Sequence, residues 1–170
     1  TNLQQMAQTL AFVQEHGYAS ADEVKQALLD AKAKTSTART DLKATEVRLS
    51  EVNRQIRLTG QYLGNKVVYA EYRKTKKSPA FYEAHRAEIA LYESARDALR
   101  EISCGDKLPS MKVLKVEKDR LTASKNAQYE AYQTARTEQR ELQTVLTNVQ
   151  QMLGIEPERT TVQERDKGIT

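Results

Sequence analysis

Apolar residues recur along most of this chain at helical spacing, and turn signals punctuate them at only a few places. Leu3, Met6, Ala7, Leu10 and Val13 follow the i, i+3, i+4, i+7 rhythm of a helix with one buried face. Gly17 then supplies a residue that tolerates the left-handed conformation of a C-cap, and Tyr18 can fold back on the last turn. Ser20 offers an N-cap oxygen, with Glu23 three residues on to complete a capping box. From Val24 the pattern is a heptad. One seam position reads Leu28, Thr35, Leu42, Leu49, Ile56, Leu63, and the other reads Val24, Ala31, Ala38, Thr45, Val52, Thr59. Nine of these twelve residues are apolar, which predicts coiled-coil packing rather than an isolated helix.

No proline falls before Pro79, so one helix is expected over 21–77, roughly 85 Å long, with Gly60 and Gly64 as the places for a kink. Ser78-Pro79 reads as an N-cap followed by proline at the first helical position, opening a cap helix over 79–103. Its stripe is Phe81, Ala84, Glu88, Tyr92, Ala95, Leu99 and Ile102, widened by Ala87, Leu91 and Ala98. Cys104-Gly105-Asp106-Lys107 stops it. Ser110 caps a return helix over 111–153, ended by Gly154. Its seam is Leu114, Leu121, Gln128, Ala135, Leu142 and Val149, joined by Tyr132, Leu146 and Leu153. Lys118, Lys125, Gln128 and Gln139 interrupt it, and polar seam residues set register at a cost in stability.

The expected fold is therefore all-α. We expect an elongated antiparallel helical hairpin, a coiled-coil stalk, with a short-helix cap and about four helices. Residues 1–17 form an N-terminal packing helix, 20–154 the stalk and cap, and 155–170 a disordered tail or linker. The chain begins at Thr1 and is helical by Leu3, which reads as a piece of a longer protein.

Composition agrees with long solvated helices: 29% charged residues, six Gly, three Pro and no Trp in 170 residues, with a mean hydropathy of −0.72. No apolar run approaches the roughly 18 residues that span a membrane. A lone cysteine, Cys104, fits a reducing cytoplasm and reads as a small residue at a helix end.

Charge is uneven. Residues 66–77 hold Lys66, Arg73, Lys74, Lys76 and Lys77 against Glu71, a net +4. Residues 107–125 hold Lys107, Lys112, Lys115, Lys118, Arg120 and Lys125 against Glu117 and Asp119, again +4. The whole chain is +4, so the remainder is −4. A fold that brings the two segments to one end makes a footprint for phosphate backbone, and interleaved tyrosines could stack on unpaired bases. Tyr62, Tyr69 and Tyr72 share a helix face, however, and tyrosines at helical spacing usually pack in the core. The nucleic-acid-binding candidates are thus Lys66, Arg73, Lys74, Lys76, Lys77, Lys107, Lys112 and Lys115 rather than the aromatics.

Catalytic chemistry is not legible. His16 and His85 fall in different helices without a ligand set at metal spacing, and there is no Gly-rich phosphate loop. Glu93 and Asp97 each have an arginine three residues on, Arg96 and Arg100, the spacing of helix-surface ion pairs. No catalytic residue, metal ligand or cofactor is expected.

Several pieces, in order, carry a resemblance. They are Asn2-Leu3 with Leu10 and Glu15-His16-Gly17-Tyr18, then Tyr69-Ala70-Glu71-Tyr72-Arg73-Lys74, then His85 with Glu88-Ile89-Ala90-Leu91-Tyr92 and Ala95-Arg96. Lys107-Leu108-Pro109-Ser110-Met111-Lys112 follows, and Arg140-Glu141-Leu142 through Asn148-Val149 to Leu153-Gly154 closes the series. This order resembles the C-terminal helical region of mobilisation relaxases from conjugative and mobilisable elements of Gram-positive bacteria. The resemblance implies a bacterial, cytoplasmic role in DNA transfer. Relaxases of this kind nick DNA with a tyrosine and a histidine cluster in a separate N-terminal domain, and no residue here matches that machinery. It implies a non-catalytic accessory region. The partners expected are single-stranded or nicked DNA, a transfer coupling protein, or a second copy of the chain, with no membrane and no small-molecule substrate. The alternative is a coiled-coil interaction or dimerisation module that binds no nucleic acid.

Overall fold

Local chemistry starts and stops the helices. The computed structural model describes residues 3–157, and every regular element among them is a helix. These are α1 (Leu3–Glu15), α2 (Ala21–Gly64), α3 (Lys66–Lys74), α4 (Pro79–Ala84), α5 (Arg86–Ser103) and α6 (Met111–Leu153). At Gly17 (φ +69°) and Gly154 (φ +67°) the chain turns left-handed, and Tyr18 N–H and Ile155 N–H reach back to Val13 O and Gln150 O, as a C-terminal cap requires. Glu23 N–H donates to Ser20 Oγ at 3.3 Å, while Ala19 N–H donates to Glu23 Oε2 at 2.6 Å, one residue earlier than a standard capping box. Ser110 Oγ caps α6 through Val113 N–H. Pro79 opens α4, but the Ser78 side chain makes no capping bond. Of the tail expected over 155–170, residues 158–170 lie outside the described residues.

Six helices appear where about four were expected, because Asn65 and His85 bend two of them. Hydrogen bonds still cross both bends: Asn65 N–H to Gln61 O and Tyr69 N–H to Asn65 O, His85 N–H to Phe81 O and Ile89 N–H to His85 O. The dihedrals leave the helical basin instead (φ −110°, ψ 4° at Asn65; φ −127°, ψ 29° at His85). At Asn65 the side-chain amide also donates to Gln61 O at 2.8 Å, a local competitor that bends helices. The kink thus falls one residue after Gly64.

The described chain divides into two compact units. Unit 1 combines residues up to Arg39 with those from Ala131 onward. In it α2 and α6 run antiparallel: Val24, Leu28 and Ala31 pack with Leu142, Val145 and Leu146, and Lys34 pairs with Glu138 at 3.5 Å. Phe12, Val13 and Tyr18 lie against this core. Only part of the stripe expected to bury α1 does so: Val13 packs on this core and Met6 is half-buried, whereas Leu3 is 84% and Leu10 50% exposed. Thr9 is buried in its place; it accepts a hydrogen bond from Asn148 Nδ2 at 3.0 Å and donates to Gln5 O. This polar contact together with Phe12 sets the rotation of α1, and the Leu3–Leu10 edge turns outward. Leu153 is also exposed, because the helix ends at the next residue.

Unit 2 spans Thr40–Glu130. Here too α2 and α6 are antiparallel, with Arg48 Nη2 2.7 Å from Glu117 and Gly60 beside the Met111 methyl. Leu42 and Val52 are buried on the heptad seam and Leu114 on its counterpart. Beyond Ile56 the seam slips by one residue: Leu58 is buried and Tyr62 half-buried, whereas Leu63 is 51% exposed. The physical reason is a change of partner. Leu58 packs on Ala95 and Leu99 of α5, with Tyr62, Ala98, Ile102 and Leu108 around them. Ile89, absent from the expected stripe of the cap helix, is its most buried large residue, while Ala84 and Leu91 are exposed. A second cluster joins Tyr69, Tyr72, Ile89 and Tyr92, flanked by Tyr62, Phe81 and Tyr82.

Gln128 interrupts the α6 seam as expected, and among the described residues its buried Oε1 has no hydrogen-bond partner. An unmet buried acceptor costs about 1–3 kcal/mol. Gln128→Leu should therefore raise stability by about 1 kcal/mol or more in urea unfolding.

Candidate nucleic-acid interface

All eight sequence-selected bases fall in unit 2 and all are exposed. The unit carries eighteen Lys and Arg against thirteen Asp and Glu, a net +5. Lys66 starts α3, and Arg73 and Lys74 form its last turn. Lys76 and Lys77 follow in the left-handed region, at φ 56° and 60°. Their N–H groups donate to Arg73 O and Tyr72 O, closing a C-terminal cap in which Lys76 holds the position that glycine normally takes. For a residue with a Cβ that conformation costs about 1–2 kcal/mol. Lys107 lies in the loop between α5 and α6, and Lys112 and Lys115 sit three apart on the first turns of α6.

Tyr69, Tyr72 and Tyr92 belong to the core, with Tyr62 half-buried beside them. Tyr92 stacks on Tyr69 (4.0 Å between centroids) and on Tyr62 (4.9 Å), and Tyr72 lies over Phe81 at 6.1 Å. The hydrogen bond with Tyr62, aided by burial, holds the Tyr92 hydroxyl above its ordinary pKa.

Beside this stack opens a cleft of about 460 Å³. Arg73 of α3 and Arg96 and Arg100 of α5 line it, with Asp106 from the following loop and Leu99 and Leu108 as apolar wall. The fold thus brings Arg73 next to the loop that carries Lys107. Arg96 is held on three sides. Its Nε bonds Asp97 at 3.0 Å, its Nη1 donates to the Tyr69 hydroxyl at 3.1 Å, and its guanidinium carbon lies 5.7 Å from the Tyr69 ring centre.

The ion pairs expected for Glu93–Arg96 and Asp97–Arg100 do not form. Arg96 turns to its neighbour Asp97 instead, because the Tyr69 hydroxyl and the ring stack draw it across to α3. Arg96 and Arg100 are functional candidates that the sequence reading assigned to the surface. Their signal is a spacing: Tyr92, Arg96, Leu99, Arg100 and Ser103 share one face of α5, and all line the cleft.

His85 Nδ1 bonds Glu88 at 3.0 Å and its ring lies on Phe81, while Cys104 is exposed. Among the described residues no three His, Cys, Asp or Glu side chains converge as metal ligands would, and no helix is long and apolar enough to cross a membrane. Comparison with protein-family models, curated proteins and solved structures finds no match.

The raised Tyr92 value fixes the sign of an alkaline effect. Stability from the protonated hydroxyl is fully present below the unfolded value of about 10 and is lost as pH rises through the higher folded value. Urea unfolding should therefore show stability falling as pH rises above about 10. Part of that loss should disappear in Tyr92→Phe.

Proposed function

We propose that this chain is a non-catalytic accessory helical domain of a DNA-transfer relaxase, acting in the bacterial cytoplasm. In this reading it grips the backbone of single-stranded DNA through the bases of unit 2. The relaxase setting comes from the sequence resemblance alone. The observation that carries the DNA contact is the turn at Lys76 and Lys77. Two consecutive lysines occupy left-handed positions where glycine would be the more stable choice. A charge retained against backbone strain argues for a use of that charge. The other selected bases are exposed in the same unit, and the packed Tyr69, Tyr72 and Tyr92 leave it to act through phosphates rather than by stacking.

A second reading is favoured by unit 1. Leu3, Leu10, Leu153 and Ile155 are exposed there, and Leu10 and Leu153 line one shallow groove with Val13 and Tyr18. Such a surface suits a protein partner, either a transfer coupling protein or a second copy of the chain. Light scattering across concentration tests the second copy: a strict monomer removes it.

For DNA, labelled single strands should bind with log K falling against log salt concentration with a slope of about −0.7 for each phosphate contacted. Five contacts would lower affinity about 100-fold between about 50 and 200 mM salt. Replacing Arg73, Lys74, Lys76 and Lys77 together with Glu should abolish binding; unchanged affinity clears the patch of this role. Lys76→Gly should separate strain from charge, raising stability by about 1 kcal/mol while weakening DNA binding.

A further inference from the structure

The arginine cleft gathers three guanidinium groups in one place. Arg96 is paired with Asp97 just outside the lining and Asp106 is the one carboxylate in it, so two guanidinium groups, Arg73 and Arg100, stand there without an ion-pair partner among the described residues. An internal backbone phosphate carries a single negative charge. A terminal phosphate monoester approaches two at neutral pH, with its second ionisation near pH ~6. The donors are also differently prepared. Arg96, only 27% exposed, has Nε and Nη1 engaged by Asp97 and the Tyr69 hydroxyl, which fixes its plane and leaves Nη2 over. The guanidinium groups of Arg73 and Arg100 are in no ion pair among the described residues. One fixed fork with two free ones is an arrangement for three-sided capture of a small oxyanion. Leu99 and Leu108 offer a sugar or base an apolar wall, and Asp106 can accept from a sugar hydroxyl.

We infer that this cleft is a phosphomonoester site, built for the dianionic terminal phosphate of a nucleic-acid strand or of a free nucleotide. That the phosphate comes from a strand end rests on the function proposed above; the phosphate chemistry itself does not.

The test uses the full chain at constant ionic strength, with inorganic phosphate, thymidine 5′-monophosphate, thymidine, and a short oligothymidylate bearing either a 5′-phosphate or a 5′-hydroxyl. Inorganic phosphate and the nucleotide should shift the Nε–H resonances of Arg73, Arg96 and Arg100, and thymidine should not. The phosphorylated strand should bind about tenfold tighter than its hydroxyl twin, the effect of one charge-assisted contact. That advantage should fade below about pH 6, where the monoester loses its second charge. It should vanish in Arg100→Gln, a change at an exposed position. Phosphate or nucleotide binding with no preference between the strands assigns the cleft to the free ligand. If the free ligands bind while neither strand does, the DNA reading fails and the cleft stands. If both strands bind alike and the free ligands shift nothing, the cleft inference is overturned and the DNA reading survives.

Discussion

The stacking of Tyr92 between Tyr69 and Tyr62 is the contact on which unit 2 depends. Each ring comes from a different helix: α3, α5 and the end of α2. The three rings set how far apart those helices stand and at what rotation. Everything useful nearby follows from that rotation. With Tyr69 against Tyr92, the Tyr69 hydroxyl meets Arg96, and Arg96 swings toward α3 instead of pairing with Glu93. Arg73, one helical turn beyond Tyr69, then looks into the same space as Arg96 and Arg100. An aromatic cluster usually counts as fold and a basic cluster as function, but here the first sets the geometry of the second.

What could be read from the sequence was whatever the chain decides within one or two turns. Gly17, Ser20, Ser110 and Gly154 act on their own neighbours, so the helix ends stand where the turn chemistry puts them. The heptad from Val24 to Ile56 was legible for the same reason, since one repeating partner faces it throughout. Leu63 was not, because the seam slips when the partner becomes α5, and no periodicity within α2 announces a change of neighbour. The face of α1 was hidden for a related reason. The hydrogen bond that sets it joins Thr9 to Asn148, 139 residues away, and a threonine within an apolar stripe gives no sign of being the anchor.

The candidate site divides along the same line. The exposed lysines were visible as a local excess of charge. The cleft was not, because it needs Arg73 and Arg96 from two helices whose approach the tyrosine stack determines. Arg96 and Arg100 looked like members of surface ion pairs, which is what i, i+3 spacing usually means. For Arg96 the Tyr69 hydroxyl outcompeted that local pairing, and Asp97, taken by Arg96, is no longer paired with Arg100. The left-handed Lys76 and Lys77 were also beyond reach, since only the closed turn reveals that side chains sit where glycine would rest more easily.

The way α1 is fastened has a dynamic consequence. Thr9 is its one fully buried residue, so little apolar surface would reach water if the helix lifted away. Segments with few buried contacts open on their own, well before the molecule unfolds as a whole. α1 is thus expected to exchange its amide hydrogens through a local opening. The cores around Val24 and Val52 would stay closed meanwhile. Each opening would briefly uncover Phe12 and Val13 beside the already exposed Leu10, enlarging the apolar surface without disturbing the rest of the fold.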